Sequence, residues 1–197
     1  MDRQDKMVIM AGIVILIISL AGIVYHEKTY VASEEVKKVS YRVSWREYSD
    51  EIVDNGYVGK DGWQNNYEIV LGDNAYIYQV EIKVEWSDDL NFHGIILPWN
   101  WSDKIDVSAS IDELQFSQSA SGYEKIELDV TKEKPKDFIA ETQSKEEINE
   151  MLKDMAINHI NCSIDLSIAT KPIFFDRGND FTVYIIYHYC IPEIESM

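Results

Sequence analysis

The sequence predicts a mainly β protein: an antiparallel β-sandwich with one amphipathic helix, preceded by a single N-terminal transmembrane helix. Three observations predict it. Apolar and polar residues alternate with period two along most of the chain beyond residue 38, as half-buried strands require. Clusters of Gly, Asn and Asp break these runs into short segments. Residues 7–25 form an apolar run that no charge interrupts. As a helix that run spans roughly 28 Å, close to the ~30 Å hydrocarbon core of a bilayer.

Taken in order, residues 1–6 make a short tail whose charges cancel, Asp2 and Asp5 against Arg3 and Lys6. The transmembrane helix follows at 7–25. Ser19-Leu20-Ala21 imitates a signal-peptidase site, but Gly22, Ile23, Val24 and Tyr25 continue the apolar run past it. The reading adopted is an uncleaved anchor, with Tyr25 and Tyr30 near the headgroups. Residues 26–38 are polar and read as a stalk; residues 39–197 read as one extracytoplasmic domain, long enough to bury a core. A hydrophobic fraction of 46% and an aromatic fraction of 12% place it among folded chains.

Within the domain, Val39, Tyr41, Val43 and Trp45 alternate with polar residues and predict a first strand. Asp54-Asn55-Gly56 and Lys60-Asp61-Gly62 then read as turns, and Tyr67, Ile69 and Leu71 as a second strand closed by Gly72-Asp73-Asn74. Residues 76–86 give the clearest strand. Its apolar face (Tyr76, Tyr78, Val80, Ile82, Val84, Trp86) opposes a polar one (Gln79, Glu81, Lys83, Glu85). Further strands are expected at 105–111, 126–130 and 160–168. The last, 181–191, is apolar on both faces and therefore central. Ser144 with Glu147 forms a capping box ahead of Ile148, Met151, Leu152 and Met155, the helix. Two packed layers follow from this inventory, a barrel being the competitor.

Chemistry-bearing residues are sparse. Cys162 and Cys190 fall opposite each other if residues 160–168 and 181–191 form a hairpin centred on Asp176. The same register sets Ile164 against His188 and Leu166 against Ile186. A disulfide there contributes about 3.5 kcal/mol by chain entropy; two buried free thiols are the alternative. Neither cysteine has a second ligand at zinc-like spacing, so no metal is expected. Asn100-Trp101-Ser102 and Asn161-Cys162-Ser163 are glycosylation sequons, Asn100 in a loop and Asn161 within a strand. Trp99 and Trp101 share the Asn100 loop. They serve either as a ligand-stacking pair or as a plug at the sandwich's edge. The acidic pairs (Asp88 with Asp89, Asp103 with Asp106, Asp112 with Glu113) read as solvated turns rather than a calcium loop. The four histidines form no metal-binding pattern, and no P-loop, nucleophile elbow or dinucleotide fingerprint occurs.

The net charge of −17 repels phosphate backbones, which excludes nucleic acid as a partner. Basic residues flank the apolar run on both sides (Arg3 and Lys6; Lys28, Lys37 and Lys38), so charge alone does not orient it. The sequons and the cysteine pair orient the domain outward.

The strand 76–86 running into Ser87-Asp88-Asp89 resembles strands of immunoglobulin-like domains in single-pass, membrane-anchored archaeal surface proteins. Tail, anchor and β-sandwich are likewise similar in layout to archaellum stator-type proteins, whose sandwich contacts the surface layer. A pilin-like subunit is a further comparison. It fits less well, because Lys6-Met7-Val8 lacks the small residue before the apolar helix. These resemblances imply an immunoglobulin-like sandwich and a surface-layer protein, another envelope protein or a glycan as partner.

The resulting expectation is a binding or structural module of the cell surface, held in the lipid bilayer by residues 7–25, without catalysis or cofactor. The alternatives are a surface carbohydrate-binding or carbohydrate-hydrolysing domain, using Trp99, Trp101 and nearby carboxylates, and a pilin-like or stator-like assembly component.

Overall fold

The computed structural model describes residues 15–20, 38–87, 103–142, 144–168 and 178–197. The chain divides into two units, Met1–Lys38 and Val39–Met197. In the first, residues 15–20 are helical with exposed side chains. The remainder of the expected anchor lies outside the described residues. Among the described residues no helix is long and apolar enough to cross a membrane.

The second unit contains β1 (Val39–Val58), β2 (Trp63–Val70), β3 (Tyr76–Ser87), β4 (Lys104–Ile111), β5 (Phe116–Tyr123), β6 (Lys125–Thr131), β7 (Phe138–Thr142), α1 (Lys145–Met155), β8 (His159–Ile168) and β9 (Asn179–Ser196). They form two antiparallel sheets, ordered β6-β3-β9-β1-β7 and β2-β8-β4-β5. The alternation that predicts strands also sorts the side chains. Val80, Ile82, Val84 and Trp86 meet Phe181, Val183, Ile185 and Tyr187 from one sheet; Ile105, Val107, Ile160, Cys162, Ile164 and Leu166 face them from the other. These side chains are essentially inaccessible to solvent, and each contributes roughly 1.5–3 kcal/mol.

Setting aside β7, which is inserted with α1 between β6 and β8, the pairings are β1–β9, β2–β8, β3–β6 and β4–β5. The chain is thus a long antiparallel ribbon rolled onto itself, with sheet orders β1-β9-β3-β6 and β2-β8-β4-β5. This is the eight-stranded, double-sheet jelly-roll arrangement. It corrects the immunoglobulin-like expectation, whose sheets run A-B-E-D and C-F-G. Alternation along one strand fixes which face is buried but not which strand lies beside it, so the sandwich was legible and its connectivity was not.

The ends of the sandwich differ. Val58 pairs with Asn179, Ser87 with Asp180 and Lys104 with Tyr123, while the Trp86 N–H donates to the Glu124 carbonyl at 2.9 Å. Strand ends flanking the β1–β2, β3–β4, β5–β6 and β8–β9 connections therefore gather at one end, the turn end. At the other end β1 begins and β9 finishes, with the Met197 N–H donating to the Ser40 carbonyl at 2.9 Å.

A second core sits at that far end. Val43, Ala140, Ile148 and Leu152 are buried together, flanked by Tyr41, Trp45, Phe138 and Ile194. In register, Tyr41 opposes Ala140 and Val43 opposes both Phe138 and Ile194. By strand parity this is the face turned away from the four-stranded sheet. The helix starts as the capping box predicts: Ser144 Oγ accepts from the Glu147 N–H at 3.4 Å.

Two departures from local sequence signals have packing causes. Asp54-Asn55-Gly56 is not a turn, because β1 runs through it in continuous register with β9. Gly56 instead makes room for its partner Phe181, whose ring carbon Cζ lies 2.4 Å from where a Cβ would stand. Lys60-Asp61-Gly62 does turn, with the Gly62 N–H donating to the Gly59 carbonyl at 3.0 Å. Gly62 there has a φ of 75°, which favours glycine. The other departure is β5, a Ser-rich strand with little apolar alternation, held by eight registered pairs with β4.

Candidate functional site

The outward face of the four-stranded sheet is built almost wholly from short polar side chains. Register places Gln64, Asp165, Ser108 and Ser119 in one row across β2, β8, β4 and β5, and Asn66, Ser163, Ser110 and Ser117 in the next. Ser167, Asp106 and Ser121 form a third. Asn and Asp are poor strand formers, and Ser adds little apolar surface to a strand. They hold here because the opposite face of each strand is buried, and the outward positions are free to carry other chemistry.

Part of the face is tied internally. Ser108 and Ser119 hydroxyls lie 2.8 Å apart, Ser121 donates to Asp106, Ser163 donates to Asn66, and Lys104 Nζ stands 3.8 Å from Asp106. Asp61, Gln64, Asp165 and Ser167 make no side-chain hydrogen bond or ion pair among the described residues. Together with Asp106 and Ser108 they line a shallow cavity of 330 Å³, floored by the backbone at Gly62, Trp63 and Leu166. The arrangement offers carboxylate and amide acceptors, amide donors and hydroxyls on a flat floor. It suits a hydroxyl-rich or cationic ligand.

A second shallow cavity, of 420 Å³, lies at the turn end on the outward face of the five-stranded sheet, among Asn55, Glu85, Ser87, Asp180 and Thr182. Thr182 Oγ1 donates to Asn55 Oδ1 at 2.7 Å. Along the open side, β1 beyond its pairing with β7 is an edge held to β2 by a polar clasp. Tyr67 Oη donates to Asp54 Oδ2 at 2.7 Å, and Asn65 Nδ2 donates to the same oxygen at 3.3 Å. Burial, foremost, and the Asp54 carboxylate raise the Tyr67 hydroxyl well above its ordinary pKa.

The cysteines are not brought together. Cys162 lies on β8 between Tyr67 and Ile111, within the inter-sheet core; Cys190 lies on β9 between Glu47 and Tyr76, in the other sheet. Cys190 also has the parity of His188 and Ile186, on the face turned away from Cys162. Facing sheets stand ~10 Å apart, beyond the span of a disulfide. The hairpin centred on Asp176 is therefore corrected: β8 and β9 belong to different sheets, and both residues are free, buried thiols. Burial pushes Cys162 up to about 12 and, with the nearby Glu47 charge adding, Cys190 up to about 11.

Of the other predicted site residues, Trp99, Asn100 and Trp101 lie outside the described residues. Asn161 is exposed on the polar face, its backbone N–H donating to Glu113 Oε2 at 3.2 Å. His159 pairs with Glu68 at 3.0 Å and His188 with Glu81 at 3.5 Å. Among the described residues no group of three His, Cys, Asp or Glu could hold a metal ion. Sequence reasoning passed over the polar face because each serine reads singly as the solvated half of a strand. The available signal was the run of short polar residues at alternate positions 161–167 and 106–110.

No protein-family model matches the chain, and no curated protein matches it. Two solved structures illustrate what it is similar to. An infectious bursal disease virus Gt strain structure aligns over 75% of this chain and 33% of its own, at 5% identity and a TM-score of 0.30. The chain thus spans about a third of that structure's length. A decameric BFDV capsid protein aligns over 76% of this chain and 99% of its own, at 7% identity and a TM-score of 0.29.

Proposed function

We propose that this chain is a membrane-anchored, extracytoplasmic binding or structural module of the cell surface, tethered by residues 7–25 and engaging envelope proteins or glycans. The observation that carries the reading is the order of the parts along the chain: an apolar run without charge at residues 7–25 stands ahead of a unit, Val39–Met197, that buries its own core. Its acidic surface, from a net charge of −17, keeps it soluble and repels nucleic acid and anionic headgroups.

A second reading, a surface carbohydrate-binding domain, is favoured by one observation: the row Gln64, Asp165 and Ser108 leaves a carboxylate and an amide unpaired over a flat floor. Vicinal hydroxyls satisfy such groups in pairs.

Protease shaving of intact cells tests the first reading. Peptides from residues 39–197 are expected in the supernatant before lysis. Full protection until lysis contradicts it. For the second reading, a glycan panel is expected to lose its signal when Gln64 and Asp165 are both replaced by alanine; an unchanged signal contradicts it.

A further inference from the structure

Asn179 opens β9 at the turn end and is wholly inaccessible to solvent. It shares the parity of Phe181, Val183 and Ile185, so its carboxamide points between the sheets rather than outward. Neither Oδ1 nor Nδ2 has a hydrogen-bond partner among the described residues. The backbone leaves it no other course. Val58 is its registered partner, and the preceding Gly178, at a φ of 127°, packs so closely that a Cβ there would lie 2.2 Å from the Val58 carbonyl oxygen. The other buried polar residue among those described, Asp103, stands at the same end, where its carbonyl accepts from Trp86 Nε1 at 3.1 Å.

A buried position facing an apolar core is cheaply filled by leucine or valine. An amide there is costly unless both its donor and its acceptor are met. A cation satisfies Oδ1 but is repelled by the amide hydrogens, and an anion does the reverse. A small neutral group that both donates and accepts meets the two together. We propose that the Asn179 carboxamide binds an ordered internal water, which fixes the start of β9 at the turn end of the core.

The experiment uses the ¹⁵N-labelled full-length chain in detergent micelles. The Asn179 side-chain amide protons, assigned by their loss in Asn179→Leu, are expected to show water cross-peaks of the sign that marks a residence longer than rotational tumbling. Absence of those cross-peaks overturns the proposal. The Asn179→Leu chain supplies a second readout: with a bound water lost, Tm falls by roughly 4 °C. An unchanged or higher Tm means the amide was unsatisfied and overturns the proposal as well.

Discussion

Thiol chemistry gives the sharpest quantitative consequence of the fold. Only the thiolate attacks an alkylating reagent. At pH 8 a cysteine at the ordinary value of 9.0 is about 9% ionised, whereas pKa values of about 12 and about 11 leave about 0.01% of Cys162 and about 0.1% of Cys190 as thiolate. Ionisation alone therefore slows the native protein roughly 900-fold at Cys162 and roughly 90-fold at Cys190, before any penalty for reaching thiols that are 0% and 1% exposed. The assay is timed alkylation of the full-length chain, native and in guanidinium, with each site followed by mass spectrometry. Two slow sites are expected, Cys190 ahead of Cys162, both becoming fast on unfolding. Rapid native labelling of either site would refute the burial argument. A Cys162–Cys190 cross-linked peptide under non-reducing conditions would refute their placement in opposite sheets.

The other consequences concern stability. Leu152→Ala empties the centre of the second core and is expected to cost 2–5 kcal/mol, roughly, by denaturant unfolding, with faster amide exchange along α1; a loss below about 1 kcal/mol would mean the helix is not anchored there. Tyr67→Phe removes the hydroxyl bonded to Asp54 and is expected to cost about 1–2 kcal/mol. A double-mutant cycle with Asp54→Ala should show coupling, and strict additivity would break the clasp argument. Stability should also fall in alkali. The native thiols keep their protons above pH 9 while the unfolded chain releases them, so each costs about 1.4 kcal/mol per pH unit up to its raised native pKa. Cys162→Ala should make that slope shallower between pH 9 and 10, and an unaltered slope would remove Cys162 from the linkage.

Much of the architecture was legible because burial imposes period two on strands and 3.6 on helices. The strands around Val80, Val107, Ile164 and Ile185, and the helix behind Ser144, all follow from it. What period cannot carry is pairing. The Cys162–Cys190 register was self-consistent on paper because any two alternating strands can be slid into a hairpin. The actual partners, Tyr67 and Ile111 for one cysteine and Glu47 and Tyr76 for the other, come from segments distant in sequence. Gly56 misled for a related reason: a glycine beside Asp54 and Asn55 signals a turn locally, while its cause is the Phe181 ring of a strand more than a hundred residues away. The polar face stayed hidden because its significance lies in rows across strands, visible only once register is known.

The proposed display of the sandwich outside the membrane is tested by labelling it on intact cells. Lys60 lies exposed in the β1–β2 turn, and the two native thiols, being buried, give a silent background. A Lys60→Cys chain treated with a membrane-impermeant maleimide is expected to label fully before lysis, with the unsubstituted chain unlabelled. Labelling that appears only after lysis would place the domain inside the cell and contradict the account.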